Sequence, residues 1–315
     1  MILVVDNSSL KVRENKRLSD SINAISFLFS EKMRKEVTDN LVNYVGSVIV
    51  NTKDYVVGSY GHTKVENSKF IVNYGCMVDK TANEIISVYN FLKVLLTCKG
   101  DNVIKQNGCL SSQGIAKYDK EQKSFYGFSL NDGLCFVLAK LAVFNKVNRA
   151  IVNDYMFSGG FNTIDNKHII LEDLARLLMI ASKNDYVVSY SFLEVLDSKE
   201  GIDSVVDDTP YCNLVLSALN NDFSMENEFD YFVGKGQFRK MCECLDKDFI
   251  SATSSNRTIS NSVINDIILK IKCYYETKLD YLVSVKFINS DKRELMRNNF
   301  IMIINNIVKN LDIKF

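Results

Sequence analysis

A single proline, Pro210, occurs in the 315 residues of this chain, and there are only two histidines, His62 and His168. With so little imidazole, acid–base catalysis would fall to carboxylates. Net charge is missing too: 38 basic residues balance 38 acidic ones, which removes any global case for nucleic acid or an anionic membrane as partner. No apolar run reaches the roughly 18 residues of a membrane span. The opening Met1-Ile2-Leu3-Val4-Val5 meets Asp6 at once, so the chain starts without the charged and apolar regions of a secretory signal. Glycine-rich phosphate loops are lacking as well. Neither Gly-x-Gly-x-x-Gly nor a Walker pattern occurs, Gly234-Lys235-Gly236 is too short to serve, and no cofactor is expected.

What is present is globular in character, 47% hydrophobic and 24% charged, with a length that suits one large domain or two ordinary ones. Eight cysteines are scattered at 76, 98, 109, 135, 212, 242, 244 and 273. In the absence of a secretory signal they point to free thiols in a reducing, cytoplasmic compartment. Cys242 and Cys244 form a lone Cys-x-Cys. On a helix these thiols would point about 200° apart, and structural zinc takes four ligands in recognisable spacing, so no metal site is expected. The abundance of Asn, Ile, Lys and Tyr suits an AT-rich coding source such as a low-GC bacterium, a phage, a virus or a mobile element.

The chain is organised around residues 113–149. Two short runs, 114–118 and 124–128, flank the charged cluster Asp119-Lys120-Glu121-Gln122 and read as a hairpin. Gly127 marks a bulge or a close backbone approach. Asn131 or Asp132 then suits the cap of a helix whose Leu134, Val137, Leu138, Leu141, Ala142 and Phe144 leave almost no polar face. Such a helix belongs at the centre of a core.

Before this unit the pattern predicts a solvated connection at 10–18, a helix from 19 or 20 toward 45, and strands at 47–57 and 69–78 forming a β-ribbon. Thr81 and Glu84 have the spacing of a capping box and open a further helix. After the unit come a short strand at 168–171, a helix from 171 or 172 to 182 and a strand at 186–196. The acidic stretch 197–210, which holds Pro210, reads as a linker. Helices are expected at 211–219, 229–245, 261–275 and 292–311, with a strand-like run at 281–287. The expected class is therefore α+β: a mixed domain at 1–196 with a mainly antiparallel sheet, then a mostly helical domain at 211–315.

Candidate chemistry centres on Cys135. A thiol near a helix N-terminus can be lowered in pKa and become nucleophilic. Asp132-Gly133-Leu134-Cys135 resembles the nucleophile helix of papain-like cysteine proteases, and the resemblance implies a histidine base downstream. His168, preceded by Asp165, is the residue available for that role. The competing reading is a structural thiol buried on an apolar helix. Charge is also unevenly divided: residues 197–250 carry twelve acidic and five basic side chains, and 257–315 carry ten basic and six acidic. These signs can be satisfied within one molecule or head to tail between molecules, with Lys292, Arg293 and Arg297 as contact residues. The expected function is thus a cytosolic interaction or self-assembly protein. The alternatives are a cysteine-dependent hydrolase or transferase using Cys135 and His168, and a nucleic-acid-binding protein using the basic C-terminal region with Tyr274, Tyr275, Tyr281 and Phe287 among its charges.

Overall fold

Runs of β-branched and aromatic residues form the first sheet. The computed structural model describes residues 3–6, 14–26, 28, 45–51, 62–66, 69–75, 80–97, 112–119, 121–147, 151, 154–156, 166–183, 212–255 and 257–311. Strands β1 (Leu3–Asp6), β2 (Val45–Asn51), β3 (His62–Glu66) and β4 (Lys69–Gly75) make a four-stranded sheet in the order β1-β2-β4-β3. Val4 lies opposite Val48, and Val48 opposite Val72. Both of those pairings are parallel, which calls for a crossover. Helix α1 (Glu14–Ser26) lies in the first connection. Only β3 and β4 pair antiparallel here, as a tight hairpin with Glu66 opposite Lys69.

Helix α2 (Lys80–Thr97) packs on α1 and on this sheet, burying Ile85, Val88, Phe91 and Leu92. A small antiparallel sheet follows, made of β5 (Ser112–Gln113), β6 (Ala116–Asp119) and β7 (Ser124–Tyr126). Gly114 turns the chain from β5 to β6 at φ +57°. A Cβ there would meet the Asn131 side chain as well as the strained backbone. Helices α3 (Phe128–Val147) and α4 (Asn166–Ala181) then pack against each other, and α2 also packs on α3. The rest is helical: α5 (Asn213–Asn220), α6 (Ser224–Val233), α7 (Gln237–Ser255), α8 (Asn261–Ser284) and α9 (Ser290–Asn310). Among the described residues the protein is thus mostly helical, and no helix is long and apolar enough to cross a membrane. Buried apolar side chains from Ala24 in α1 to Val308 in α9 form one connected cluster.

Several expectations need correction. The N-terminal sheet is mixed, not mainly antiparallel, and the residues read as a ribbon pair parallel, because β3 sits between them in sequence and outside β4 in space. Residues 14–18, read as a connection, already belong to α1. Thr81 is the second residue of α2, so the helix starts before the supposed cap. Residues 168–171 are helical: their apolar run belongs to a helix face and not to a strand. The span 229–245 is two helices, because Gly234 and Gly236 turn the chain at φ +132° and +74°. Asp230 accepts from the Gly236 and Phe238 amides and so opens α7. The run 281–287 ends α8 and then turns through Lys286 at φ +59°. Asn289 next caps α9 by accepting from the Lys292 amide. The expected strand at 186–196, the linker 197–210 and Asp165 lie outside the described residues.

Candidate functional site

The end of α3 expected to be capped from within is capped from far away in sequence. The helix begins at Phe128, earlier than the pattern suggested. Asp246 of α7 accepts from the Gly127 amide at 2.6 Å and from the Ser129 amide at 2.7 Å. Burial raises the Asp246 carboxyl above its ordinary range, and these amides only partly offset that. A carboxylate at a helix N-terminus satisfies orphan amides and meets the positive end of the helix dipole. Replacing Asp246 with alanine is expected to cost about 1–3 kcal/mol of stability, with asparagine less harmful because it keeps one acceptor. Unfolding midpoints of the two variants decide this.

Asn131 and Asp132 are thereby freed from capping. The Asn131 side chain accepts from the Ile115 amide at 3.2 Å and ties the small sheet to the helix. Asp132 gathers a cluster around itself. Its Oδ1 accepts from Tyr89 at 2.5 Å and from Lys93 at 2.9 Å, both on α2. Lys93 also donates to the Tyr89 hydroxyl at 3.0 Å. The other oxygen, Oδ2, is 3.9 Å from Nε2 of His168 on α4. Burial opposes the charge on Lys93, but the Asp132 carboxylate more than restores it and leaves the lysine pKa raised. Burial also works against the Asp132 carboxylate, and Lys93, then Tyr89, bring its pKa below the ordinary value. Both groups are therefore held charged at neutral pH.

Cys135 stands one turn beyond Asp132 and is fully buried. Burial, reinforced by the Asp132 charge, pushes its thiol up, and Lys93 opposes this only in part. The accessible thiolate that a nucleophile requires is not what this environment favours. His168 is likewise buried, directed to Asp132 and edge-on to the rings of Phe136 and Phe249 at 5.4 and 5.6 Å. Cys242 is buried and Cys244 exposed, and no group of potential metal ligands occurs among the described residues.

A second cluster is sealed between α3 and α4. Lys140 pairs with Glu172 at 2.7 Å, their side chains 0% and 1% exposed. Arg176 pairs with Asp173 and donates to the Tyr155 carbonyl. Both cations also lie over the Tyr155 ring, Lys140 at 5.3 Å and Arg176 at 5.2 Å from its centre. Asp173 is raised to about 6 by burial, with Arg176 opposing. Lys278 of α8 forms a third polar centre: it pairs with Glu228 of α6 and donates to the Lys183 carbonyl at 3.2 Å, just past the end of α4. A cation there complements the negative end of the helix dipole.

Sequence reasoning passed over Lys93, Lys140 and the Glu172-Asp173-Arg176 set. A signal was available: Lys93 is the sole charge between 85 and 97, and Lys140 the sole charge between 133 and 144. A lone charge inside an apolar helix must find a partner when that helix is buried. Arg293 and Arg297, taken as contact residues, are already engaged with the neighbouring helix α8. Arg293 binds Asp280 at 2.9 Å and Arg297 binds Glu276 at 2.7 Å. Lys292 follows the Asn289 cap at the start of α9.

An aromatic cluster lies exposed where α6 meets the end of α8. Tyr231 of α6 is 73% exposed, and its ring lies 4.9 Å from Phe232 and 6.5 Å from Tyr281 of α8. Val285 and Phe287, just past α8, are exposed too, Phe287 at 61%. No protein-family model, no curated protein and no solved structure matches the chain.

Proposed function

We propose that the protein is a non-enzymatic cytosolic interaction protein that assembles with a second copy of itself through the aromatic surface at the C-terminal end of α8. The exposed, touching rings of Tyr231 and Tyr281, with Val285 and Phe287 also exposed just past the end of α8, carry this reading. Exposed aromatic groups that touch one another in water are costly unless a partner covers them, and Tyr and Phe are enriched at the centres of interfaces. Charge favours a second copy as that partner. The acidic stretch 197–250 includes the helix bearing Tyr231, and the basic stretch 257–315 includes Tyr281 and Phe287. A two-fold related copy sets the same exposed rings against each other, and the opposite net charges of the two stretches favour that approach. The free cysteines among the described residues suit a reducing compartment.

The test is the mass in solution, by sedimentation over a range of concentrations at two ionic strengths. The expected result is a dimer that weakens as the Debye length falls from about 10 Å at 0.1 M salt to about 3 Å at 1 M. In a Tyr231→Ser, Phe287→Ser variant the dissociation constant should rise by at least about tenfold. A monomer at every concentration, or an oligomer indifferent to these substitutions, would overturn the proposal. Arg293→Glu and Arg297→Glu are poorer probes, since each first breaks a contact with α8.

A further inference from the structure

A cleft of about 340 Å³ opens beside the Asp132 cluster, between the end of β7, the first turn of α3 and the helix α7. An engineered apolar cavity of about 150 Å³ holds one benzene. A space twice that size takes a single ring with a short chain, and it lies at the lower end of the roughly 300–1,000 Å³ typical of ligand sites. Most of its wall is apolar: Phe125, Phe128, Phe249 and Ile250 line it, with the first two rings 4.9 Å apart. Phe128 and Ile250 are exposed, at 42% and 63%, so the apolar rim is open to solvent.

The polar end of the cleft is set by Lys93 and Asp132, each about one-fifth exposed and each lining it. Oδ1 of Asp132 already accepts two hydrogen bonds, from Tyr89 and Lys93. Oδ2 has His168 at 3.9 Å, beyond hydrogen-bond distance. The Asp132 side chain is partly open to the cleft, so Oδ2 keeps room to accept from a bound donor. Asp246 adds a second carboxylate to the wall, although its oxygens are taken by the amides that open α3. The faces of the phenylalanine rings carry partial negative charge and attract a cation. Lys93 opposes one, but its ammonium is held on the Oδ1 side by Asp132 and Tyr89. An anion would have to compete with Asp132 for Lys93 while facing two carboxylates.

We propose that this cleft binds a small aromatic amine, its ring against Phe125, Phe128 and Phe249 and its ammonium donating to Oδ2 of Asp132. The site is distinct from the assembly surface and independent of it.

Three probes with the same skeleton separate the elements of this site: phenethylamine, phenylpropionate and ethylbenzene, each titrated into the full chain and followed by NMR. The expected result is binding of the amine at least about tenfold tighter than of the carboxylate. Phe128→Ala, at a rim position, should weaken every probe that binds. Asp132→Asn should abolish the preference for the amine over ethylbenzene. If that variant fails to fold, Ile250→Ser and Phe128→Ala still decide whether the cleft is the site. Equal binding of amine and carboxylate, no binding of the amine at millimolar concentration, or binding untouched by both rim variants would each overturn the proposal.

Discussion

Lys140→Met is expected to be among the most damaging single substitutions in this protein, at a cost of about 3–5 kcal/mol. The lysine lies wholly inside the contact between α3 and α4, and its removal leaves the Glu172 carboxyl buried without the ammonium that balances it. Glu172→Met should do comparable harm for the opposite reason, a buried ammonium that has lost its carboxylate. The double variant is the discriminating one. Exchanging both members of a buried pair for apolar groups of similar size is often neutral or even stabilising. Asp173 and Arg176 remain paired beside them and keep the site neutral. The double variant should therefore unfold at a higher temperature than either single variant. If the losses simply add, the two residues do not form the pair that their 2.7 Å separation implies.

The second large effect is expected at Gly133. In an isolated helix, glycine to alanine gains about 1 kcal/mol through helix propensity. Here the sign reverses. A Cβ on Gly133 would lie 2.1 Å from the Leu171 carbonyl oxygen and 2.5 Å from its carbon. Both atoms belong to the backbone of α4, so no side chain can rotate away, and the two helices must separate. Overpacking of a core usually costs about 1–3 kcal/mol, and a clash of backbone against Cβ should reach the upper end or exceed it. Chemical denaturation of Gly133→Ala checks this directly. An unfolding midpoint at or above that of the parent would mean that α3 and α4 do not cross at this residue.

These two cases divide what is legible in the chain from what is not. Local period was enough to read α3 as a helix too apolar to be anything but central, and its flanking hairpin, because side-chain spacing and turn chemistry act over a few residues. The helical character of the segment after 211 was legible for the same reason, though its breaks at Gly234 and Lys286 depend on left-handed turns that periodicity does not record. What the chain could not disclose locally was partnership. Asp246 reaches the start of α3 across 117 and 119 residues, Lys140 meets Glu172 across 32, and Lys278 reaches the end of α4 across 95. Strand order in the first sheet is of the same kind: β2 pairs parallel with β4 although β3 comes between them. The sequence by itself determined which segments are apolar and, for long ones such as α3, that they are buried helices. The short apolar runs at 168–171 and 281–287 read as strands but belong wholly or in part to helices. The tertiary structure decided which charge answers which, because a buried ion or an orphan helix end only requires some partner, and packing alone chooses the one that comes within reach.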